Sequence, residues 1–350
     1  MDSHLLLCQI TWAILAILAI WQLLRWIPAG TDKLNPLPYV IALLQLSYIP
    51  LLLIAIISTA FNMKHECIAS IIILLISFTS HTPYVFKKIK KIFHFFFKSK
   101  SNTYNHESTY NKKIRIMTLN CRYGRANAKQ IVEIAKENNI DTLLLQEVNK
   151  QLIKKLHDFH IEDIFSTQQL GEESENDNGG FNAIFTKYSP QRTLDKTVNI
   201  DASNVPLVTT KIDDITLNFA SAHPKSPMRG CVSWSEGIRI LSKILKTFRL
   251  ENSKVITIIA GDFNSTIDHP SFRKLLSSGL KDSAIELGCR LRTWPTWLRW
   301  PNFTLDHILF NAHNCSSHAL SHKSIVVKGT DHLAYITCIS FKLNRPSRYA

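Results

Sequence analysis

V-I-T-I-I-A-G-D-F-N-S, Val255 to Ser265, is the stretch on which the fold turns. Six residues rich in β-branched side chains read as a buried strand, and a glycine, a carboxylate and a carboxamide follow at once. Taken alone, Asp262 and Asn264 fit an Asx turn where a strand leaves its sheet. They fit equally an α/β scaffold that presents chemistry at its strand ends, on loops held by rigid elements. The rest of the chain decides between the two.

Working outward, the same punctuation recurs. K-I-R-I-M-T-L-N alternates as a strand and ends at Asn120; a helical stretch from Ala126 to Asn138 follows; D-T-L-L-L-Q-E-V is a buried strand ending in Gln146 and Glu147. I-T-L-N-F-A-S-A-H-P closes at His223 and Pro224, and a helix from about Trp234 to Phe248 leads back to the opening strand. Further on, F-T-L-D-H-I-L-F carries Asp306 and His307, and G-T-D-H-L carries Asp331 and His332 just before the last strand. Each polar residue singly is explained as a turn former, a cap or a satisfied histidine. Together they set carboxylates suited to a metal beside imidazoles suited to proton transfer, which turn chemistry alone does not require. The acidic segment Gly171 to Gly180 lacks EF-hand spacing and reads as a solvated loop.

The ordered series T-L-N, Q-E, the histidine after I-T-L-N-F-A-S-A, G-D-F-N, L-D-H-I and T-D-H-L resembles the endonuclease/exonuclease/phosphatase superfamily of deoxyribonuclease-, AP endonuclease- and sphingomyelinase-like enzymes over roughly residues 112 to 342. The resemblance implies a four-layered α/β sandwich, two packed mixed β-sheets flanked by helices, and Mg²⁺-dependent attack of water on a phosphate ester, with Mn²⁺ as a substitute. It assigns Asp262 to orienting or deprotonating the water and the Asn264 carboxamide to the transition state. Glu147 and Asp331 become the carboxylates around the metal, with Asn120 supporting the metal or a phosphate oxygen. His332 stands at the scissile phosphate with Asp306 fixing its tautomer, and His223 contacts the phosphate or assists the leaving oxygen. One departure stands out: G-G-F-N-A-I-F offers no acid near Phe181 or Asn182 to pair with His223, which argues against fast deoxyribonuclease-type cleavage but not against phosphate-ester hydrolysis.

The substrate-facing segments are less legible. Lys225 and Arg229 in P-K-S-P-M-R are candidates for a second phosphate. R-T-W-P-T-W-L-R-W-P sets Trp294, Trp297 and Trp300 beside Arg292 and Arg299; it suits base stacking along a single strand, an aromatic membrane anchor, or plain packing on the domain.

The first hundred residues have another character. No charged side chain occurs from Leu5 to Leu24 or from Leu34 to Met63, and from Cys67 to Phe86 the imidazole of His81 is the main titratable group. These runs predict an all-α region of three transmembrane helices over residues 1 to 86, the second kinked at Pro50. A cleaved signal peptide fits the first run poorly, because Asp2 and His4 stand where a basic flank belongs. K-K-I-K-K-I-F-H-F-F-F-K-S-K opens a basic juxtamembrane linker, residues 87 to 111, whose lysines suit anionic headgroups or plain solvation. Arg25 and Lys33 share a side with it, so the positive-inside rule predicts a multi-pass integral membrane protein with its catalytic domain in the cytoplasm and a polar tail from 343 to 350.

Of the net charge of +14, the six linker lysines carry part and the soluble portion keeps eight. A cationic domain suits a polyanionic partner, nucleic acid or lipid headgroup. Seven cysteines with no paired short spacing indicate neither a disulfide framework nor a zinc site. The expected partners are a phosphate-ester substrate and the bilayer, with no obligate protein partner evident. A nuclease-like activity is expected first, a phospholipid or phosphoinositide hydrolase second. The complete motif set argues against an inactive scaffold.

Overall fold

Strand alternation sorts the catalytic half into layers before any tertiary contact is considered. In β1, Tyr110–Asn120, the residues Ile114 and Ile116 turn to one face while Met117 and Leu119 turn to the other. Each face needs a separate apolar partner, because successive side chains leave a strand on opposite sides. The computed structural model, which describes residues 3–78, 83–85, 110–173, 179–248 and 253–343, supplies both.

The described residues form two six-stranded mixed sheets packed face to face, with helices outside. The first sheet takes β1, β2 (Thr142–Val148), β3 (Thr167–Leu170), β4 (Phe181–Thr186), β11 (Ser317–Val326) and β12 (Leu333–Leu343), in the order β11-β12-β1-β2-β4-β3. The second takes β5 (Arg192–Leu194), β6 (Leu207–Ile212), β7 (Ile215–Ala222), β8 (Lys254–Asp262), β9 (Lys281–Asp282) and β10 (Asp306–His313), in the order β5-β6-β7-β8-β10-β9. Only β1 with β2 and β7 with β8 run parallel, one pair at the heart of each sheet. Ile116, Leu144, Phe219, Ile258, Ile308 and Tyr335 fill the layer between the sheets. Helices Ala128–Glu137 and Lys150–Asp158 cover the first sheet; Cys231–Ile240 and Pro270–Leu276 cover the second. The expected α/β sandwich is therefore present. The helix expected to run from about Trp234 to Phe248 is two pieces, the second being Lys243–Thr247.

The N-terminal region departs further from expectation. Its helices are α1 (Ser3–Leu23), α2 (Leu37–Ala42), α3 (Tyr48–Ala60) and α4 (Lys64–Ser77). Among the described residues one helix, Ser3–Trp26, is long and apolar enough to cross a membrane; Leu37–Leu46 and Tyr48–Ala60 reach that length only as a pair bent by 53°. The second apolar run is thus broken at Ser47, and Pro50 falls in the first turn of α3, where a missing N–H costs no helical bond, instead of kinking one long span. Helix α4, with 14 residues, rises about 21 Å, short of the ~30 Å hydrocarbon core. The rest of the expected third span includes residues 79–82, and these, like 86–109 with the lysine cluster, lie outside the described residues.

The outer face of the bundle is unlike that of a water-soluble one. Thr11, Gln22, Ser58, Ser70 and Ser77 are buried between helices, whereas Ile17, Ile20, Ile56 and Leu75 are mostly exposed. The same interior holds Leu15, Leu18, Leu51 and Ile54, so polar and aliphatic side chains share it while further aliphatics face out, an arrangement compatible with apolar surroundings.

Candidate active site

The inward rows of the strands continue past the apolar layer and end in polar side chains at one mouth. On β8 the row Ile256, Ile258, Ala260 ends at Asp262; on β1 the row Ile114, Ile116, Thr118 ends at Asn120. On β10, Asp306 heads the row of Ile308 and Phe310 and lies directly opposite Asp262 in the register. His223 prolongs the row of Leu217, Phe219 and Ser221 on β7. The same alternation sends His307 to the other face, where it pairs with Asp282 at 2.6 Å and with the Ser265 carbonyl at 2.9 Å. Its role is structural.

Two local devices refine the mouth. Gly261 has φ +153°, and a Cβ there would meet the Ala222 carbonyl oxygen at 1.9 Å, so the glycine of G-D-F-N lets β7 and β8 close up just before Asp262. Glu147 sits in a bulge of β2 at φ +51°, which turns it off the strand's alternation and into the cleft. The Asx turn read from the sequence also exists: Asn264 N donates to Asp262 Oδ1 at 2.8 Å, while Asn264 Nδ2 donates to the Pro224 carbonyl at 3.2 Å. Turn and site are the same object.

The polar groups form one network. Asn120 Nδ2 donates to Glu147 Oε1 and to Asp262 Oδ2, each at 3.0 Å, joining carboxylates of the two sheets. Tyr123 N donates to Glu147 Oε2 at 2.9 Å. His332 Nδ1 lies 2.8 Å from Asp306 Oδ2, and its Nε2 faces Asp262 Oδ2 at 3.6 Å. His223 Nε2 faces the same Asp262 oxygen at 3.6 Å and Glu147 Oε1 at 3.8 Å. Thr330 fixes the T-D-H-L loop, donating its hydroxyl to Asn120 O at 2.7 Å and accepting from His332 N at 3.1 Å.

This network drives the two imidazoles apart. Burial holds His223 down to about 4, outweighing Asp262, so it is neutral at pH 7. Burial opposes charge on His332 as well, but Asp306 and Asp262 prevail and push it up to about 10, so it is an imidazolium. Burial also raises Asp262, against the pull of His332, and raises Glu147, against its hydrogen bonds from Asn120 and Tyr123.

The residues fit a divalent cation on chemical grounds. Carboxylates that burial penalises as anions converge on one cleft, and Asp306 Oδ1 has no hydrogen-bond partner among the described residues. Oxygen donors of this kind suit a hard ion. The tightest cluster is Asp262, Asp306 and His332, whose ligand atoms lie within 4.8 Å of one another. Because His332 gives Nδ1 to Asp306 and carries a proton, that cluster reads better as an acid–base group than as a ligand set. Glu147 and Asp331 remain as the cleft's other carboxylates; Asp331 lies 3.6 Å from Arg122 Nε and accepts from Trp294 Nε1 at 3.4 Å. Asn120, expected to support the metal or a phosphate oxygen, turns its amide nitrogen to Glu147 and Asp262 and so orients both carboxylates.

Asn120, Glu147, His223, Arg229, Asp262, Asn264, Asp331 and His332 all line one cleft of about 720 Å³, and Asp306 backs it. Lys225 does not join them: Asp201 draws its ammonium away at 3.3 Å. Arg122 and His269, unremarked in the sequence, line the cleft too. Trp294 reaches it, whereas Trp297 and Trp300 stay largely exposed, and Trp300 Nε1 donates to Tyr48 OH at 2.9 Å. The largest omission was the docking of the N-terminal region. Arg25 pairs with Asp268 at 2.9 Å, and buried Asp32 accepts from Ser271 N at 2.8 Å and Ser271 Oγ at 2.6 Å.

Comparison with known proteins agrees with this fold. A profile of the Endonuclease/Exonuclease/phosphatase family matches residues 117–332. No curated protein sequence matches the chain. Among solved structures, humanized D. rerio TDP2 aligns with TM-score 0.54 and 17% identity over 65% of this chain and 98% of its own. D. rerio TDP2 complexed with a single-strand DNA product aligns with TM-score 0.53 and 16% identity over 65% of this chain and 99% of its own. At these identities the likeness concerns the fold.

Proposed function

The chain belongs to the Endonuclease/Exonuclease/phosphatase family, and on that premise we propose that it is a membrane-anchored, divalent-metal-dependent phosphoesterase. Residues 1 to 86 are the anchor, 87 to 111 the linker and 112 to 342 the catalytic domain. The observation that carries the reading is the bracketing of His332 between Asp306 and Asp262 at the mouth of the two sheets.

Water attacks phosphorus as the ester P–O bond breaks. Asp262, a buried carboxylate of raised basicity, takes the water's proton; His332, charged and held by Asp306, offsets negative charge on the phosphoryl oxygens. Neutral His223 donates a hydrogen bond from its ring N–H to the phosphate, and the leaving oxygen is protonated from solvent. The Asn264 carboxamide and Arg229 guanidinium orient the phosphate, with Lys225 reaching a second phosphate only by leaving Asp201. Glu147 and Asp331 would hold the Mg²⁺ or Mn²⁺, with Asn120 setting Glu147. When bound, that ion supplies positive charge that polarises the phosphoryl group.

Membrane anchoring is supported by the outward aliphatic surface of the bundle and by the one helix, Ser3–Trp26, long and apolar enough to cross a membrane. Arg25 and Lys33 lie toward the catalytic domain, which favours a multi-pass anchor with that domain in the cytoplasm. A nuclease-like substrate is supported by the single-strand DNA product bound to D. rerio TDP2 and by the net positive charge. The reading is tested with a chromogenic phosphodiester, using the full chain in nanodiscs with Mg²⁺. Turnover that vanishes with EDTA and with Asp262→Asn is expected. Turnover of the parent indistinguishable from that of the Asp262→Asn protein would overturn it.

A further inference from the structure

The cleft has two unlike kinds of lining. One kind of lining is the carboxylates and imidazoles; the other is an apolar wall of Pro38, Tyr39, Ala42 and Leu43 from α2 and its following turn, and Trp294, which donates to Asp331, and Phe303 also line the cleft. The catalytic domain grips this N-terminal wall at several points. His269 Nδ1 accepts from Thr266 N at 2.9 Å, which leaves the ring proton on Nε2 to be donated to the Pro38 carbonyl, also at 2.9 Å. Arg25 and Asp268 pair just before the wall, and Asp32 binds the first turn of Pro270–Leu276 from outside that helix. An anchor needed only for tethering requires none of this.

We infer that Pro38–Leu43 is a specificity-determining wall of the active site and selects phosphate esters that carry an apolar chain, presented from the bilayer. The inference rests on the phosphoesterase reading alone and departs from the nuclease-like substrate: it assigns the cleft an apolar-chain ester in place of a polyanionic strand. No charged side chain occurs between Leu34 and Met63, so the wall gives a polyanionic strand nothing to run along. Two of its carbonyls are already engaged, Pro38 O by His269 and Val40 O by Trp21 at 2.8 Å, which removes them from base recognition. Apolar exposure is not confined to the cleft. Leu43, which lines it, is itself partly exposed, and Ile49, Leu52 and Leu53 are exposed on one face of α3 at helical spacing.

The test uses the full chain in nanodiscs and a series of alkylphosphonates from methyl to hexyl, with binding read by calorimetry and hydrolysis read on matching alkyl p-nitrophenyl phosphate diesters. Binding to the parent should tighten about three- to fourfold per methylene buried. That slope should flatten in Leu43→Asp and Ala42→Asp and survive in Leu43→Met. Equal binding of methyl- and hexylphosphonate to the parent overturns the inference whether or not the variants fold. So does a single-strand oligonucleotide that outcompetes hexylphosphonate and is indifferent to Leu43→Asp. If the slope is present but no diester is cleaved, the wall stands and the phosphoesterase reading falls.

Discussion

The imidazole of His332 is clamped to Asp306, Nδ1 to Oδ2 at 2.8 Å, and Asp306 is itself wholly buried. A buried carboxylate fixed in this way holds the ring in one orientation and keeps its proton on. Asp306→Asn keeps the shape but not the charge. It should lower turnover about 10²- to 10⁴-fold with little change in substrate KM, as measured by steady-state kinetics. A variant as active as the parent would show that the pair does not serve the chemistry.

The same pair makes stability depend on pH with a definite sign. The folded-state value of His332 is raised to about 10 from the ordinary 6.5, so its contribution is fully present below about pH 6.5 and is lost as pH climbs through 10. Melting temperature should therefore fall across that window, and the fall should flatten in Asp306→Asn. His223 works the other way. Its value is lowered to about 4, so its contribution is present above pH 6.5 and is lost as pH drops toward 4. An acid limb of the melting profile that is shallower in His223→Gln is the expected signature.

A metal in the cleft should register without any substrate. Glu147 is raised by burial, so an ion that relieves the penalty binds the folded chain and not the unfolded one. At about a hundred times its Kd the ion should add about 2.7 kcal/mol of stability. Glu147→Gln should reduce that Mg²⁺-dependent rise in melting temperature. Equal rises in parent and variant would take Glu147 out of the ligand set.

How far the sequence could be read depends on how local each cause is. Asn120, Asp262 and Asp306 end or head strands whose alternation is visible in one dimension, so their convergence needed only two sheets face to face. Glu147 was recognisable by its Q-E motif but not by its parity, because the bulge that turns it inward packs against Gly180, where a Cβ would sit 2.5 Å from the Val148 carbonyl oxygen and 2.9 Å from the Glu147 carbonyl carbon. The position of Lys225 was illegible because Asp201, more than twenty residues away, draws its ammonium. Span boundaries were illegible for a different reason: apolar composition measures a run, whereas the bend between Leu46 and Tyr48 divides it into two helices.

Least legible was the contact between the two halves. Arg25 and Asp32 resemble ordinary charges in a loop between apolar runs, and Asp268 resembles turn punctuation after G-D-F-N-S. Yet Arg25 and Asp268 are both nearly fully buried, and Arg273 also donates to the Arg25 carbonyl. Removing one partner leaves a buried charge uncompensated, at a cost of about 3–5 kcal/mol, whereas removing both costs less. Arg25→Met and Asp268→Leu should each loosen the N-terminal region, seen as faster hydrogen exchange at Ser271 and Gly30, and the double variant should be closer to the parent than either. If instead the two losses simply add, the pair is not coupled and the docking must rest on Asp32. In that case Asp32→Ala, which strips acceptors from Ser271 N, Ser271 Oγ and Ser235 Oγ, should detach the region by itself.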